Sequence, residues 1–472
     1  MADKILPFYE KVTILDIASE GKCVAKIDDY VIFVDKVVPG DVVDIQIFKK
    51  KKSFAEGKAV HFHELSPKRA AVFCSHFHTC GGCKWQNLNY NEQLAFKEKT
   101  VKDNLERIAK VPLSKIDPIV GSENIQFYRN KMDYTFSNKR WLTAEEVASD
   151  LKMEEPALGF HVPKRFDKII PIEKCYLQDD RANEIRNETA AFTKANNYDY
   201  YDIRQNTGLL RNLIIRNTST NEWMVIVVFA ADEPEKIEAL LSHLKNKFAF
   251  ITALLYVINT KKNDTIFDQD ILTYQGADFI TESMQDLKGK TISFRISPKA
   301  FYQTNSAQAA KLYRLATEMA DLKGDEVVYD LYTGTGTIAN FIASSAKKVI
   351  GIEYVEDAIV DAKINSERNN IDNTLFFAGD MKDVLNHAFI EKHGKPNVVI
   401  TDPPRAGMHE DVCQKLLFMR SEKIVYVSCN PATQARDIAI LDEAYEVSKI
   451  QPVDMFPHTE HVENIVLLTL KK

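Results

Sequence analysis

The sequence has no apolar run that approaches the ~18 residues of a membrane-spanning helix. Its first residues, Met-Ala-Asp-Lys-Ile-Leu-Pro, have no apolar centre of the kind that a signal peptide needs. We therefore expect a cytoplasmic protein without membrane association. Internal repeats and low-complexity tracts are also missing, so the 472 residues predict roughly three ordinary globular domains.

Cysteine is scarce and odd in number, with seven residues in the chain. Such a count does not suit a disulfide framework and favours thiol or metal chemistry. The net charge of -6 does not by itself indicate a nucleic-acid partner. The local balance differs, because residues 45–70 hold two acids, Glu56 and Glu64, against seven bases: Lys49 to Lys52, Lys58, Lys68 and Arg69. This excess is typical of an RNA-binding surface, and equally of a solvated charged loop.

Short strand-like runs alternate with turn signals between residues 9 and 65. Five such runs predict a small β-barrel over residues 1–66. They are Lys11 to Leu15, Lys22 to Ile27, Tyr30 to Val34, Asp41 to Phe48 and Ala55 to His63. The order Gly-Lys-Cys-Val-Ala, then Val-Pro-Gly-Asp-Val-Val, resembles the TRAM domain, a small RNA-binding barrel. This part of the chain is therefore expected to bind RNA.

Three cysteines lie within ten residues, as Cys74-x5-Cys80-Gly81-Gly82-Cys83. The glycines allow the backbone to curl, so that the sulfur atoms can converge on a metal or a cluster. The best candidate for a fourth ligand is Cys175. Four thiolates suit either zinc or an iron–sulfur cluster, and the number of ligands leaves both open. Around these cysteines, residues 67–290 predict a central α+β domain.

Residues 291–472 alternate strands and helices in the manner of a Rossmann-like α/β domain. A strand over residues 327–332 leads into a turn where Gly334 and Gly336 allow the backbone to approach a ligand. Glu353 ends the next strand, where it can accept hydrogen bonds from ribose hydroxyls, and Asp380 follows the third strand, within reach of an adenine. This pattern serves dinucleotides and S-adenosylmethionine alike.

The next two strands carry the groups that distinguish between these two kinds of ligand. The fourth strand ends in Asp402-Pro403-Pro404-Arg405, a rigid loop of the kind that faces both base and methyl donor in nucleoside methyltransferases. The fifth strand is stopped by the turn at Asn430-Pro431. Cys429 therefore lies at the carboxyl end of a strand, where open α/β sheets bind ligands. Taken alone, Cys429 would more often be a small buried hydrophobe.

These groups suit methyl transfer to carbon 5 of uracil. That carbon becomes nucleophilic when a thiolate adds to carbon 6 and converts the ring to an enolate. A base must then remove the carbon-5 proton so that the thiolate can be eliminated. Cys429 fits the nucleophile and Glu463, on the terminal strand, fits the base. Asp402 can hydrogen-bond the imide edge of uracil, and Gln303 can orient the donor or the base.

At this point the chain resembles the RNA uracil-C5-methyltransferases, specifically the ribosomal-RNA branch that carries a TRAM domain and an iron–sulfur cluster. The resemblance runs nearly from end to end. Its motifs are Cys74-x5-Cys80-x2-Cys83, Phe301-x-Gln303-x-Asn305, Asp330-Leu331-Tyr332-x-Gly334-x-Gly336-Thr337, Asp402-Pro403-Pro404-Arg405, Ser428-Cys429-Asn430-Pro431 and His461-x-Glu463.

The resemblance implies specific cofactors and roles. A [4Fe-4S] cluster is implied on Cys74, Cys80, Cys83 and Cys175. Contacts to S-adenosylmethionine are implied from Gln303, Tyr332, Thr337, Glu353, Asp380 and Asp402. Cys429 is assigned as the nucleophile and Glu463 as the general base. One departure from the family pattern is the long gap between Cys83 and Cys175.

The expected architecture is therefore α/β, with a five-stranded TRAM barrel at residues 1–66 and a central α+β iron–sulfur domain at 67–290. A class I S-adenosylmethionine methyltransferase domain follows at 291–472. By the same resemblance, a helix at about residues 90–111 is expected to pack with that last domain.

Other functions remain open on the sequence. The same chemistry could act on transfer RNA instead of ribosomal RNA. A catalytically silent RNA-binding assembly factor with a relic cofactor site is a second alternative. A nicotinamide-dependent oxidoreductase fits least, because nothing in hydride transfer requires the Asp-Pro-Pro loop. RNA is the predicted partner, and the sequence indicates no obligatory protein partner.

Overall fold

The structure is a computed structural model that describes residues 6–18, 21–142, 146–147 and 155–472. The first five residues, on which the expectation about a signal peptide partly rests, lie outside these ranges. The chain forms two compact units, Met1–Thr100 with Phe456–His461, and Val101–Met455 with Val462–Lys472. The division into three domains stays a prediction. Within the described ranges, no helix combines the length and the apolar character needed to cross a membrane.

The described part of the first unit contains one six-stranded sheet. Its strands are β1 (Phe8–Thr13), β2 (Asp16–Ile17), β3 (Cys23–Ile27), β4 (Tyr30–Asp35), β5 (Val42–Lys50) and β6 (Phe54–Glu64). They lie in the order β1-β5-β6-β4-β3-β2, and β4 and β6 alone are parallel neighbours. Along β5, buried Val43, Ile45 and Ile47 alternate with more exposed residues, as the two-residue period of a half-buried strand requires.

The connection between β1 and β2 closes this sheet into a barrel. The Ile14 amide donates to the Asp41 carbonyl, and the Leu15 amide donates to the Val24 carbonyl. Because β1 pairs with β5 at one edge and β2 pairs with β3 at the other, a single bent segment bonds to both edges. Closure of this kind reduces the free sheet edge that an open sheet would expose. The first predicted strand, Lys11 to Leu15, overlaps the end of β1; β2 was not predicted, and the other four predicted strands are present.

Helix α1 (Tyr90–Asn104) belongs to the first unit up to Thr100. Residues 456–461, which lie far along the sequence, belong to the same unit. The helix is prolonged by a π-helical turn at Leu105–Ala109, and Val101 and Leu105 are buried in the core of the second unit.

The second unit begins with a seven-stranded sheet flanked by two helices. Its elements are β7 (Lys131–Ser137), β8 (Ala157–His161), β9 (Ile169–Pro171), α2 (Asp180–Ala195), β10 (Leu210–Asn217), β11 (Trp223–Phe229), α3 (Pro234–Lys247), β12 (Ala253–Ile258) and β13 (Ile271–Gly276). The strand order is β13-β12-β11-β10-β7-β8-β9, and β11 and β12 alone are parallel neighbours. A hairpin, β14 (Ile280–Gln285) with β15 (Thr291–Ile296), follows. This is the α+β arrangement that the sequence predicts.

A second seven-stranded sheet, mostly parallel, completes the unit. The strands are β16 (Val327–Leu331), β17 (Lys348–Glu353), β18 (Thr374–Ala378), β19 (Val398–Thr401), β20 (Lys423–Ser428), β21 (Tyr445–Val453) and β22 (Glu463–Leu470). The helices are α4 (Ser306–Ala320), α5 (Thr337–Ile342), α6 (Glu356–Arg368), α7 (Met381–Val384), α8 (His387–His393), α9 (Glu410–Met419) and α10 (Pro431–Leu441).

The strand order is β18-β17-β16-β19-β20-β22-β21, and β22 runs antiparallel to both of its neighbours. The order reverses between β16 and β19, which is where open α/β sheets bind ligands. All four residues of β19 are buried, as expected for a parallel strand covered on both faces. The predicted Rossmann-like domain is thus present, with its ligand-binding edge at the carboxyl ends of β16 to β20.

Asp41 is a buried carboxylate that joins the barrel to the chain beyond β6. Its Oδ2 accepts hydrogen bonds from the Val38 amide (2.6 Å) and Arg69 Nη2 (2.7 Å). Its Oδ1 accepts from the Ser66 amide (2.9 Å) and Arg69 Nε (2.8 Å). The two-point pairing with Arg69 is the strongest geometry that a carboxylate and a guanidinium can form. One side chain therefore fixes both the turn before β5 and the segment after β6.

We expect Asp41→Asn to destabilise the first unit by about 2 kcal/mol, because the charge is lost and an amide hydrogen is turned toward Arg69. The free energy of unfolding, from urea denaturation followed by circular dichroism, measures this. Asp35→Asn, at an exposed position at the end of β4, is the matched control and should change little. Equal midpoints for the two variants would contradict the role given to Asp41.

Candidate active site

The turn after β16 is shaped by backbone conformations that favour glycine. Tyr332, Gly334 and Gly336 have φ angles of 63°, 54° and 74°. A Cβ on Gly336 would lie 2.9 Å from Ala362 Cβ, so close packing also requires glycine there. A Cβ on Gly334 would meet no atom within 4 Å. The loop therefore has open space at Gly334, directly before α5 begins at Thr337.

Glu353 ends β17 beside this loop. Its Oε2 accepts a hydrogen bond from the Gly334 amide (3.1 Å), and its Oε1 accepts from the Val355 amide (3.1 Å). Each carboxylate oxygen keeps acceptor capacity for a ligand hydroxyl. Asp380, after β18, accepts from the Lys382 amide and so caps α7. Both acids lie at the same sheet edge as the glycine loop.

Asp330 is a fully buried carboxyl beneath the loop, and sequence analysis assigns it no separate role. Its Oδ2 accepts from Thr333 Oγ1 (2.5 Å) and from the Ala339 amide (3.1 Å). Its Oδ1 is buried with no hydrogen-bond partner. Burial raises the pKa of Asp330 to about 7. The carboxyl therefore ties the glycine loop to α5 from below.

The pairing of β20 with β22 brings Cys429 beside Glu463. Ser428, the last residue of β20, pairs with Asn464 of antiparallel β22. Cys429 follows Ser428 and Glu463 precedes Asn464, so each lies next to the last pair of this ladder, with Cys429 just beyond the end of β20. Gln434 of α10 secures this end of the ladder, because its Nε2 donates to the carbonyls of Tyr426 (2.9 Å) and Asn464 (3.1 Å).

Acidic groups surround the Cys429 thiol. Burial and the charges of Glu463 and Asp402 raise the pKa of Cys429 to about 11, although Arg405 opposes this shift through its charge and a hydrogen bond. Burial and the charge of Asp402 raise the pKa of Glu463, which Arg405 again lowers. Burial raises the pKa of Asp402. The cation at Arg405 therefore partly offsets the burial and the negative charge that raise the pKa of Cys429 and of Glu463.

The loop that carries Arg405 is fixed to the start of α10. The Arg405 carbonyl accepts from Asn430 Nδ2 (3.0 Å) and Thr433 Oγ1 (3.2 Å). Arg436 Nη2 donates to the carbonyls of Ala406 and Met408 (3.0 Å each). Asn430, the residue after Cys429, thus couples the Asp-Pro-Pro-Arg loop to the nucleophile candidate.

Gln303 lies on the loop that enters α4. The Asn130 side chain donates to the Gln303 carbonyl (3.0 Å) and to Ser306 Oγ (2.8 Å). Asn305 caps α4 and donates through Nδ2 to the Met455 carbonyl (2.9 Å). Met455 lies two residues beyond Val453, which pairs with Glu463. The Gln303 loop is therefore fixed to the strands that carry the carboxylate.

The candidate cluster cysteines are divided between the two units. Cys74, Cys80 and Cys83 belong to the first unit and Cys175 to the second. All four are half-buried thiols, and Gly81 has a φ of 72°, as the predicted curl requires. Within the described ranges, no three His, Cys, Asp or Glu side chains are arranged to hold a metal ion. The residue types fit an iron–sulfur cluster.

Comparison with known proteins is consistent with this geometry. A family model described as tRNA (uracil-5-)-methyltransferase matches residues 217–471, and the TRAM domain model matches residues 9–60. A protein of Bacteroides thetaiotaomicron named as an uncharacterized RNA methyltransferase is 56% identical over 458 residues, covering 96% of this chain and 100% of the relative. One of Chlorobaculum tepidum, with the same kind of name, is 36% identical over 468 residues, covering 96% of this chain and 95% of the relative.

A solved structure is similar over nearly the whole chain. It is the tRNA (uracil-54, C5)-methyltransferase of Pyrococcus abyssi in complex with S-adenosyl-L-homocysteine. The TM-score is 0.74 and the identity 27%, with 97% of this chain and 100% of that chain covered. The predicted family, the α/β fold class and the TRAM domain are confirmed, as are S-adenosylmethionine as cofactor and RNA as substrate. The chain therefore belongs to the family of S-adenosylmethionine-dependent RNA (uracil-5-)-methyltransferases.

Proposed function

We propose that the protein methylates carbon 5 of a uridine in ribosomal RNA, through a covalent bond between Cys429 and carbon 6. The observation that carries this proposal is the β20–β22 register, whose last pair, Ser428 with Asn464, adjoins Cys429 and Glu463; the influence of Asp402 and Arg405 on the pKa of Cys429 supports it. A thiol, a carboxyl and a cation at one strand end are the groups that this reaction requires. We place the activity in the cytoplasm, with functional borders near residues 66 and 290.

The donor site in this proposal lies along the edge from β16 to β19. S-adenosylmethionine, when bound, supplies an electrophilic methyl group. The open space at Gly334 admits the ligand, with Gly336 and Thr337 at the helix start. Glu353 accepts hydrogen bonds from the ribose hydroxyls, with its orientation set by the Gly334 and Val355 amides. The remaining donor contacts are assigned to Gln303, Tyr332, Asp380 and Asp402.

The chain's own residues carry the steps on the base. The target uridine leaves its stack to enter the site. The Cys429 thiolate adds to carbon 6, which moves electron density through carbon 5 to the carbonyl oxygen at carbon 4. After carbon 5 gains the methyl group, Glu463 accepts the proton of carbon 5. The electron pair of the broken C–H bond then forms the double bond between carbons 5 and 6 and expels the thiolate from carbon 6. Asp402 hydrogen-bonds the imide edge and holds the ring in register.

The protonation states of Cys429 and Glu463 determine the pH at which these steps can proceed. With a pKa of about 11, Cys429 is mostly a thiol at neutral pH. The cation of Arg405 favours the thiolate, and it also favours the ionised form of Glu463 that can accept a proton. We therefore assign Arg405 the role of activating both groups, a role that its place in the Asp402-to-Arg405 motif alone does not indicate.

Transfer RNA is the second candidate substrate. It is favoured by the family model's description and by the Pyrococcus abyssi enzyme, which acts on uracil 54 of tRNA. Ribosomal RNA is favoured by the combination of a TRAM domain with the cysteines at 74, 80, 83 and 175. The chemistry at Cys429 and Glu463 is the same in both cases.

We further propose that Cys74, Cys80, Cys83 and Cys175 hold a [4Fe-4S] cluster. Support comes from the spacing of the first three thiols, from their half-burial and from the left-handed backbone at Gly81. Methyl transfer to uracil requires no electron transfer, so the cluster has no step in the mechanism above.

Deleting the gene should remove one or more 5-methyluridines from ribosomal RNA, which mass mapping of digested RNA detects. Reintroducing the intact gene should restore them, and Cys429→Ala at equal soluble abundance should not, because no other group replaces the thiolate. Loss confined to transfer RNA would support the second substrate. Full restoration by Cys429→Ala would refute the enzymatic proposal and favour an assembly factor.

Arg405→Met should lower kcat/KM roughly tenfold at pH 7.5, because losing the cation raises the pKa of Cys429 further and leaves less thiolate. Both Cys429 and Glu463 act in their deprotonated forms, so the rate should rise with pH. The variant at pH 8.5 should then match the unsubstituted protein at pH 7.5, and Arg405→Lys should retain most activity. If kcat/KM of Arg405→Met is still reduced at pH 8.5, Arg405 contributes to substrate binding and not to the activation of Cys429 and Glu463.

Protein purified without oxygen should be brown and contain about four iron atoms per chain. Cys83→Ser should lose the colour and the iron. Cys413→Ser, on the buried face of α9, should keep the iron. The iron content per chain and the visible absorbance spectrum of each variant measure the outcome. Colourless protein that contains zinc would contradict the iron–sulfur assignment.

A further inference from the structure

Two side chains of α1 bind a segment that lies more than 350 positions further along the chain. Gln93 and Lys97 are one helical turn apart and share a face of α1. Both are fully buried. Lys97 Nζ donates to the Phe456 carbonyl (3.0 Å). The His458 amide donates to Gln93 Oε1 (2.9 Å), and the Gln93 side-chain amide lies 3.2 Å from His458 Nδ1. Residues 456–461 thereby become part of the first unit.

The cysteine-rich loop binds the same segment. The amides of Lys84 and Trp85 both donate to the His458 carbonyl (2.7 and 3.1 Å). Lys84 is the residue after Cys83. The Trp85 ring also lies under the Lys97 ammonium, with Nζ 5.9 Å from the ring centre. His458 is held at a φ of 65°, a conformation that a non-glycine residue keeps only when its surroundings determine it.

The segment is also fixed on its upstream side, by contacts within the second unit. Gln308 Nε2 donates to the Asp454 carbonyl (2.7 Å), and Asn305 Nδ2 donates to the Met455 carbonyl (2.9 Å). Both side chains are buried at the start of α4. The chain is therefore held firmly just before residues 456–461, and its next regular element is β22, which begins with Glu463.

Only Val462 separates residues 456–461 from Glu463. Two residues of extended chain span at most ~7 Å, so a shift of this segment is passed on to the start of β22. Cys429 is anchored independently, since Asn430 and Gln434 hold its strand end to α10 and to the Arg405 loop. A disturbance at residues 456–461 therefore reaches the carboxylate before it reaches the thiol.

We propose that Lys97 and Gln93 are positioning residues for Glu463, acting through the segment Phe456–His461. The inference rests on the proposed function, in which Glu463 removes the carbon-5 proton. Loss of the hydrogen bond from Lys97 to the Phe456 carbonyl should displace the Glu463 carboxylate, while Cys429 can still add to carbon 6. Addition to carbon 6 and methyl transfer then proceed, while proton removal and thiolate release become slow. An error of about 1 Å in the position of a reacting group can cost up to ~100-fold in rate.

The test uses the full chain, S-adenosylmethionine and RNA isolated from a strain that lacks the gene. Lys97→Met, Lys97→Arg, Lys99→Met and Glu463→Gln are compared for kcat, for KM and for protein–RNA adduct on denaturing gels. Lys99→Met is the matched control, because Lys99 lies on the same helix with an exposed ammonium paired to Asp16 (3.0 Å). We expect Lys97→Met to lower kcat about tenfold with KM unchanged within about twofold. Its adduct should rise toward the level of Glu463→Gln, while Lys97→Arg restores turnover and Lys99→Met matches the unsubstituted protein.

Unchanged kcat in Lys97→Met, or adduct formation that falls in step with kcat, would overturn the inference while Glu463→Gln still accumulates adduct. Absence of adduct in Glu463→Gln would instead overturn the proposed function, and this inference with it. If Lys97→Met is insoluble, Gln93→Asn withdraws the amide from His458 by one methylene and should give the same adduct accumulation to a smaller degree. Adduct at the unsubstituted level in Gln93→Asn would count against the inference.

Discussion

The antiparallel pairing of β22 with β20 is the constraint on which the site depends. It pairs Ser428 with Asn464, so that Cys429 and Glu463 both adjoin the last pair of the ladder, although a helix and a strand separate them in sequence. Burial at this strand end raises the pKa of Cys429 and of Glu463, and the charge of Asp402 raises both further. Like charges at close range in a poorly solvated site cannot all ionise, so one cation, Arg405, has a large influence on which group is charged.

The surrounding contacts hold these groups through the backbone more than through their side chains. Asn430 fixes the Arg405 carbonyl, Gln434 fixes the ends of two strands, and Asn305 fixes the carbonyl of Met455. Each of these amide side chains bonds to a main-chain carbonyl on another element. Buried amides that are satisfied in this way define one arrangement, because any displacement leaves a donor or an acceptor without a partner.

Local sequence patterns were sufficient for the parts of the fold that short segments determine. The glycine turn, the acid at the end of β17 and the thiol at the end of β20 follow from strand runs, glycine and proline, which act over a few residues. The bend that divides β1 from β2 was not predicted, because it depends on contacts with Asp41 and Val24 across the barrel. Asp330 and Arg405 were seen in motifs but given no role, since burial and proximity to Cys429 are tertiary properties. The contacts from α1 to residues 456–461 span nearly the whole chain, and no local pattern signals them.

The late return of residues 456–461 to the first unit also bears on biosynthesis. A ribosome releases α1 early, yet the carbonyl that Lys97 binds belongs to Phe456 and emerges more than 350 residues later. Until then the buried ammonium lacks one of its acceptors, so the first unit reaches its mature packing only after residues 456–461 have been synthesised. Chains that stop before Phe456 would thus carry an unfinished first unit as well as an unfinished sheet, which gives cellular proteases a means of distinguishing incomplete products from finished ones.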